Sequence, residues 1–130
     1  MFTPESRFLI VDDMLTMRKL VSRLCRELGF KSVTEAADGN LAWDQLTKAE
    51  PAFSLVISDW NMPNCSGLEL FKRVRADERF KGLPFLMVTA ETEQSQVTDA
   101  LLAGVSGYVV KPFSADTLKE KLGQITKPKA

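Results

Sequence analysis

The 130-residue chain contains no histidine, and that absence removes whole classes of chemistry. Ser-His-Asp and Cys-His catalysis, histidine-ligated zinc and formation of a phosphohistidine on this chain all require an imidazole. Any reaction must therefore run on carboxylates, hydroxyls and lysine. Cysteine is scarce as well, with two in the chain. Cys25 falls in an apolar helical stripe and Cys65 in a loop, which gives neither a disulfide framework nor a metal-ligand spacing; Cys65 reads as buried filler. Charge of one sign is not in excess, since Lys+Arg and Asp+Glu number 17 each. No net field draws the chain to nucleic acid or to an anionic membrane, so neither is an expected partner. No apolar run approaches a membrane span, and the start Met1-Phe-Thr-Pro-Glu-Ser-Arg7 lacks the basic and apolar stretches of a signal peptide. A soluble, cytoplasmic, monomeric protein is expected.

What is present suits one domain over residues 1–130, at 45% apolar and 26% charged composition. Five apolar segments recur: Phe8–Val11, Ser32–Ala36, Phe53–Ser58, Phe85–Thr89 and Gly107–Val110. Four are near-continuous apolar runs, as strands covered on both faces require. Helical patterns separate them. Met17, Leu20, Val21, Leu24, Cys25 and Leu28 follow the i, i+3, i+4 rhythm, closed by Gly29. Asp38-Gly39 opens a second helix to about residue 49, Ser66-Gly67 a third to about residue 75, and Ser114 the last, with Leu118, Leu122 and Ile125 on one face. A further helix, polar early and apolar late, is expected over residues 92–103. This alternation predicts an α/β fold, a five-stranded doubly wound parallel sheet with helices on both faces.

Acids and a base end different strands: Asp12-Asp13 after the first, Asp59 at the foot of the third, Lys111-Pro112 after the fifth. In a doubly wound sheet the strand ends at the switch point open one crevice, which Asp12, Asp13 and Asp59 would share. Two carboxylates roughly 5 Å apart repel by about 3 kcal/mol at an effective dielectric near 20, so a cation belongs there. Lys111 offsets one charge, and hard oxygen donors without nitrogen or sulfur partners suit Mg²⁺. Thr89, ending the fourth strand, adds a hydroxyl, and Lys111 a positive charge for the oxygens of a transferring phosphoryl group. Asp59 is then the nucleophile, forming an aspartyl phosphate. Taken singly, each piece has a plainer reading: helix capping for Asp12-Asp13, a turn former for Asp59, a β-branched strand residue for Thr89, a strand terminator for Lys111-Pro112. Their arrival in order at four strand ends favours the functional one.

The motifs Leu9-Ile-Val-Asp-Asp13, Ser58-Asp-Trp-Asn-Met-Pro63, Gly67, Met87-Val-Thr-Ala-Glu91 and Gly107-Tyr-Val-Val-Lys-Pro-Phe113 resemble the receiver domains of two-component response regulators, the chemotaxis regulators most closely. The resemblance implies a flavodoxin-like sheet of strand order 2-1-3-4-5. It further implies that Asp59 accepts a phosphoryl group from a sensor histidine kinase, and that Asp13, Asp59 and the Asn61 carbonyl bind Mg²⁺ with Asp12 assisting through water. Thr89, the Ala90 amide and Lys111 would hold the phosphoryl oxygens, Asn61 and Glu91 would flank them and set the lifetime, and Lys111-Pro112 would be a cis bond. Thr89 and Tyr108 would form the switch pair, read out on a face built from the helix over 92–103, the last strand and the last helix. Implied partners of that face are the flagellar motor switch protein and a phosphatase.

Departures temper this. Chemotaxis members commonly carry lysines where this chain has Glu93 and Gln94, which alters steering toward a motor partner and leaves the chemistry intact. A phosphate sink or a non-motor regulator is the alternative output. Among rival classes, an aspartyl-phosphate phosphatase would need Asp-x-Asp-x-Thr, which Val11-Asp-Asp-Met-Leu-Thr16 does not supply. An FMN carrier would need a Ser/Thr/Gly-rich phosphate cradle after the first strand, which is missing. A receiver turned constitutive binding module would not need the complete acid set.

Overall fold

Side chains alternate between two buried layers along the central strands, and this alternation organises the computed structural model, which describes residues 2–49, 52–60, 62, 65–90, 104–111 and 113–125. Strands β1 (Arg7–Val11), β2 (Ser32–Ala36), β3 (Leu55–Asp59), β4 (Phe85–Ala90) and β5 (Gly107–Lys111) pair in parallel in the order β2-β1-β3-β4-β5. Helices α1 (Leu15–Glu27), α2 (Gly39–Lys48), α3 (Gly67–Ala76) and α4 (Ala115–Ile125) complete the described elements. One core layer joins Phe8, Ile10, Leu55, Ile57, Leu86 and Val88 to Val21 and Cys25 of α1 and Leu118 and Leu122 of α4. The other joins Leu9, Val11, Val56, Phe85 and Met87 to Leu46 of α2 and Leu70 and Val74 of α3. The doubly wound expectation and its strand order are both met, because residues of odd and even position each find their own layer of helices.

Local chemistry explains the helix starts. Asp38 accepts from the Leu41 amide at 2.8 Å. Ser66 and Glu69 form a reciprocal capping box, with contacts of 3.2 and 3.3 Å. Ser114 accepts from the Thr117 amide at 3.3 Å. Gly29 adopts φ +98° after α1, the left-handed turn a glycine makes at least cost.

Several boundaries differ from the sequence reading: β1 begins one residue earlier, at Arg7, and β4 ends one later, at Ala90, and three further differences bear on local structure. β3 begins at Leu55 and runs through Asp59. Ahead of it, Ser54 is held by Arg7, its amide donating to the Arg7 carbonyl at 2.7 Å and its hydroxyl accepting from the Arg7 amide at 3.2 Å. Lys111 belongs to β5, paired with Ala90, and does not follow the strand. Helix α1 opens two residues before Met17, and its N-cap Met14 has no side-chain cap of its own; Asp12 accepts the Met14 amide instead, at 2.9 Å.

The helix expected over 92–103, with Glu91, Glu93 and Gln94, lies outside the described residues, as do Asn61, Pro63 and Pro112. No helix among the described residues is long and apolar enough to cross a membrane.

Candidate functional site

Strands β1 and β3 are hydrogen-bonded neighbours, with Val11 opposite Ser58, so the residues that follow or end them emerge side by side. There β1 has β2 on its other side and β3 begins the run toward β5, which is the switch point of the sheet. Asp12 and Asp59 are both buried, at 3% and 7% exposure, while Asp13 is exposed. Oxygens of these three carboxylates lie within 4.8 Å of one another. Across β4, the Lys111 ammonium donates to Asp59 Oδ1 at 2.9 Å and stands 3.7 Å from Asp12 Oδ2.

One ammonium facing three carboxylates leaves the crevice with excess negative charge. Burial pushes the Asp59 carboxyl above its ordinary range, and the neighbouring Asp12 charge adds to this, against the opposing pull of Lys111. Burial likewise raises Asp12, against the Met14 amide and Lys111. Both acids are thus held in a state that a further cation would relieve. The donor set is all carboxylate oxygen, with one exposed member at the rim, and this fits a hard divalent ion such as Mg²⁺ that retains waters. Asp12, Asp13 and Asp59 would hold it.

Thr89 is fully buried on β4, opposite Val110, and its hydroxyl has no hydrogen-bond partner among the described residues. A buried, unsatisfied hydroxyl costs roughly 1–3 kcal/mol, which a chain tolerates where the group has a use. Ala90 ends β4 with its backbone paired to Lys111. Tyr108, on β5, is half-buried with the Lys121 ammonium 5.1 Å from its ring centre. The structure thus gathers Asp12, Asp13, Asp59 and Lys111 in one cluster, sets Thr89 and Ala90 on the strand between Asp59 and Lys111, and puts Tyr108 three residues back along β5.

Two supports escaped the sequence reading. Arg18 of α1 donates from Nη1 to the Asp12 carbonyl at 2.8 Å and from Nε to Glu35 Oε1 at 3.1 Å, tying the end of β1 to β2. No motif marks it; only its place one turn into α1 could have suggested it. Gly39 is the other, since a Cβ there would stand 2.5 Å from Cys65 Sγ. Cys65 is buried, as expected of filler, and wedges against the start of α2.

The response regulator receiver domain family matches residues 8–123. The chain is 52% identical over 119 residues to chemotaxis protein CheY-3 of Vibrio cholerae, covering 92% of this chain and 90% of that one. It is 50% identical over 119 residues to chemotaxis protein CheY of Pseudomonas aeruginosa, covering 92% and 94%. Among solved structures, the chemotaxis response regulator CheY4 of Vibrio cholerae superposes with a TM-score of 0.82 at 36% identity, covering 93% of this chain and 98% of that one. A putative response regulator from Chloroflexus aurantiacus superposes with a TM-score of 0.86 at 32% identity, covering 93% and 97%.

Proposed function

Because the chain belongs to the response regulator receiver domain family, we propose that it is a cytoplasmic regulator whose Asp59 accepts a phosphoryl group from a phosphohistidine on a sensor histidine kinase. The observation that carries the reading is the 2.9 Å contact of Lys111 Nζ with Asp59 Oδ1 inside a buried acid cluster. An Asp59 oxygen attacks phosphorus, an O–P bond forms as the N–P bond of the donor breaks, and the electron pair leaves with the imidazole. No proton has to be taken from the nucleophile, so the chain needs no histidine. Lys111 holds one oxygen of the attacking carboxylate and meets charge that develops on the phosphoryl group. Asp12, Asp13, Asp59 and the Asn61 carbonyl would hold Mg²⁺, which would supply charge neutralisation for the two anionic partners. The Thr89 hydroxyl and the Ala90 amide serve as the remaining phosphoryl donors.

The output is a change of partner affinity. Thr89 and Tyr108 act as its switch pair, and a face that includes β5 and α4 presents the result to a partner. The names of the relatives favour chemotaxis, and we infer the flagellar motor switch protein as the partner of this face, with a phosphatase ending the signal. Carrying such a switch from 1:99 to 99:1 takes about 5.5 kcal/mol of differential stabilisation.

Intact-mass measurement after incubation with acetyl phosphate and Mg²⁺ tests the chemistry. One phosphoryl group adds to the wild type and none to Asp59→Asn; no addition to the wild type, or equal addition to both, ends the reading. Binding of a flagellar switch peptide to the phosphorylated chain tests the motor output.

A further inference from the structure

At the opposite edge of the sheet from Asp59, the loops that lead into β4 and β5 enclose a cavity of about 350 Å³ lined by Arg75, Lys81, Pro84, Ser106, Gln124 and Ile125, with Gly82 and Gly104 at its walls. No carboxylate is among its lining residues within the described part of the chain, whereas a guanidinium and an ammonium are. Arg75 is half-buried, and its Nη1 donates to the Leu83 carbonyl at 2.6 Å while its Nη2 reaches Ser106 Oγ at 3.4 Å. Those contacts use two of the five N–H donors a guanidinium carries, and Arg75 has no salt bridge among the described residues. The Ser106 hydroxyl accepts from the Phe85 amide at 3.0 Å as well as from Arg75, so both its lone pairs are engaged and its proton is left to donate. A β-carbon on Gly82 or Gly104 would meet nothing within 4 Å, which leaves those walls open.

We propose that this cavity binds a phosphomonoester of nucleotide size. Fixed donors with positive charge and no competing acid are what a phosphate group requires, and Arg75, pinned by the Leu83 carbonyl and stacked 4.9 Å over the Phe71 ring, is held ready rather than mobile. The volume lies at the lower end of the range of small-molecule sites and exceeds what a bare ion fills. Pro84 and Ile125 supply the apolar wall against which the rest of the molecule packs.

Amide NMR of the full chain without Mg²⁺, titrated with adenosine monophosphate, adenosine and inorganic phosphate, tests this. The monophosphate shifts the Gly82, Gly104 and Ser106 resonances saturably and leaves those of Asp12 and Asp59 in place. Inorganic phosphate produces the same pattern with weaker affinity, and adenosine produces none. Lys81→Glu, at an exposed position, weakens monophosphate binding about tenfold or more without altering the spectrum elsewhere, and Arg75→Lys weakens it too. Absence of a saturable shift, equal response to adenosine, or indifference to Lys81→Glu overturns the proposal. None of these outcomes depends on phosphorylation of Asp59.

Discussion

Gly67 sits so close beneath Asp59 that a Cβ built on it would overlap the Asp59 carbonyl oxygen, with Met87 Sδ 2.9 Å away on the other side. Its amide donates to the Trp60 carbonyl at 2.9 Å, so the start of α3 is pressed against the residue that directly follows the acid. Gly67→Ala must push either backbone or core aside. Overpacking of this kind costs about 1–3 kcal/mol. Urea denaturation should show that loss, and acetyl-phosphate labelling should slow, because Asp59 moves with its carbonyl. Unchanged stability together with unchanged labelling would contradict the contact.

Excess negative charge in the crevice has a consequence for the metal-free protein. Asp59 and Asp12 both have folded-state pKa values raised chiefly by burial. A raised carboxyl contributes stability below its unfolded pKa and loses it as pH rises through the folded one, so at neutral pH both acids weaken the fold. Asp59→Asn should therefore melt above wild type in EDTA at pH 7. Addition of Mg²⁺ should raise the wild-type midpoint and narrow or reverse the difference. A lower-melting variant in EDTA would refute the charge balance.

Thr89 offers a buried hydroxyl with no partner among the described residues. Thr89→Val keeps the shape and removes the unsatisfied group, so the unphosphorylated protein should gain up to about 1 kcal/mol. The same change should weaken the response to phosphorylation, read as a smaller change in Trp60 fluorescence. A destabilised variant would mean that the hydroxyl is already satisfied.

Glu35 behaves in the opposite sense to the site acids. Burial pushes it up, but hydrogen bonds from Lys19 and Arg18 outweigh this and leave it below its ordinary value. A lowered carboxyl stabilises above its unfolded pKa and loses that contribution as pH falls through the folded one. Glu35→Gln should thus cost about 1 kcal/mol at pH 7, and the gap should close as pH falls below about 4. A gap constant with pH would assign the loss to packing rather than charge.

The two cysteines should be inert in the folded chain. Burial pushes the Cys25 thiol up to about 12, and Cys65 is 4% exposed against Gly39. Thiol alkylation followed by mass spectrometry should find both unmodified until denaturant is added.

Legibility followed the range of the interactions. Caps at Asp38, Ser66 and Ser114 could be read from sequence because each bond spans three residues. The strand-end acids, Thr89 and Lys111 were legible because parallel topology carries every strand end to one edge. The start of β3 was not, since Phe53 and Ser54 look like strand residues and are diverted by Arg7, whose guanidinium stands 4.8 Å over the Phe53 ring. Nor were the Arg18 bridge and the Gly39–Cys65 contact, which depend on how helices settle on the sheet.

Asp59 and Lys111 end the third and fifth strands and Asp12 directly follows the first, so the crevice draws together residues from 12 to 111. A nascent chain that has emerged as far as β4 already holds its acids but lacks the lysine that tempers them. The charge balance of the crevice is therefore completed only when the last strand docks and brings its ammonium to the acids.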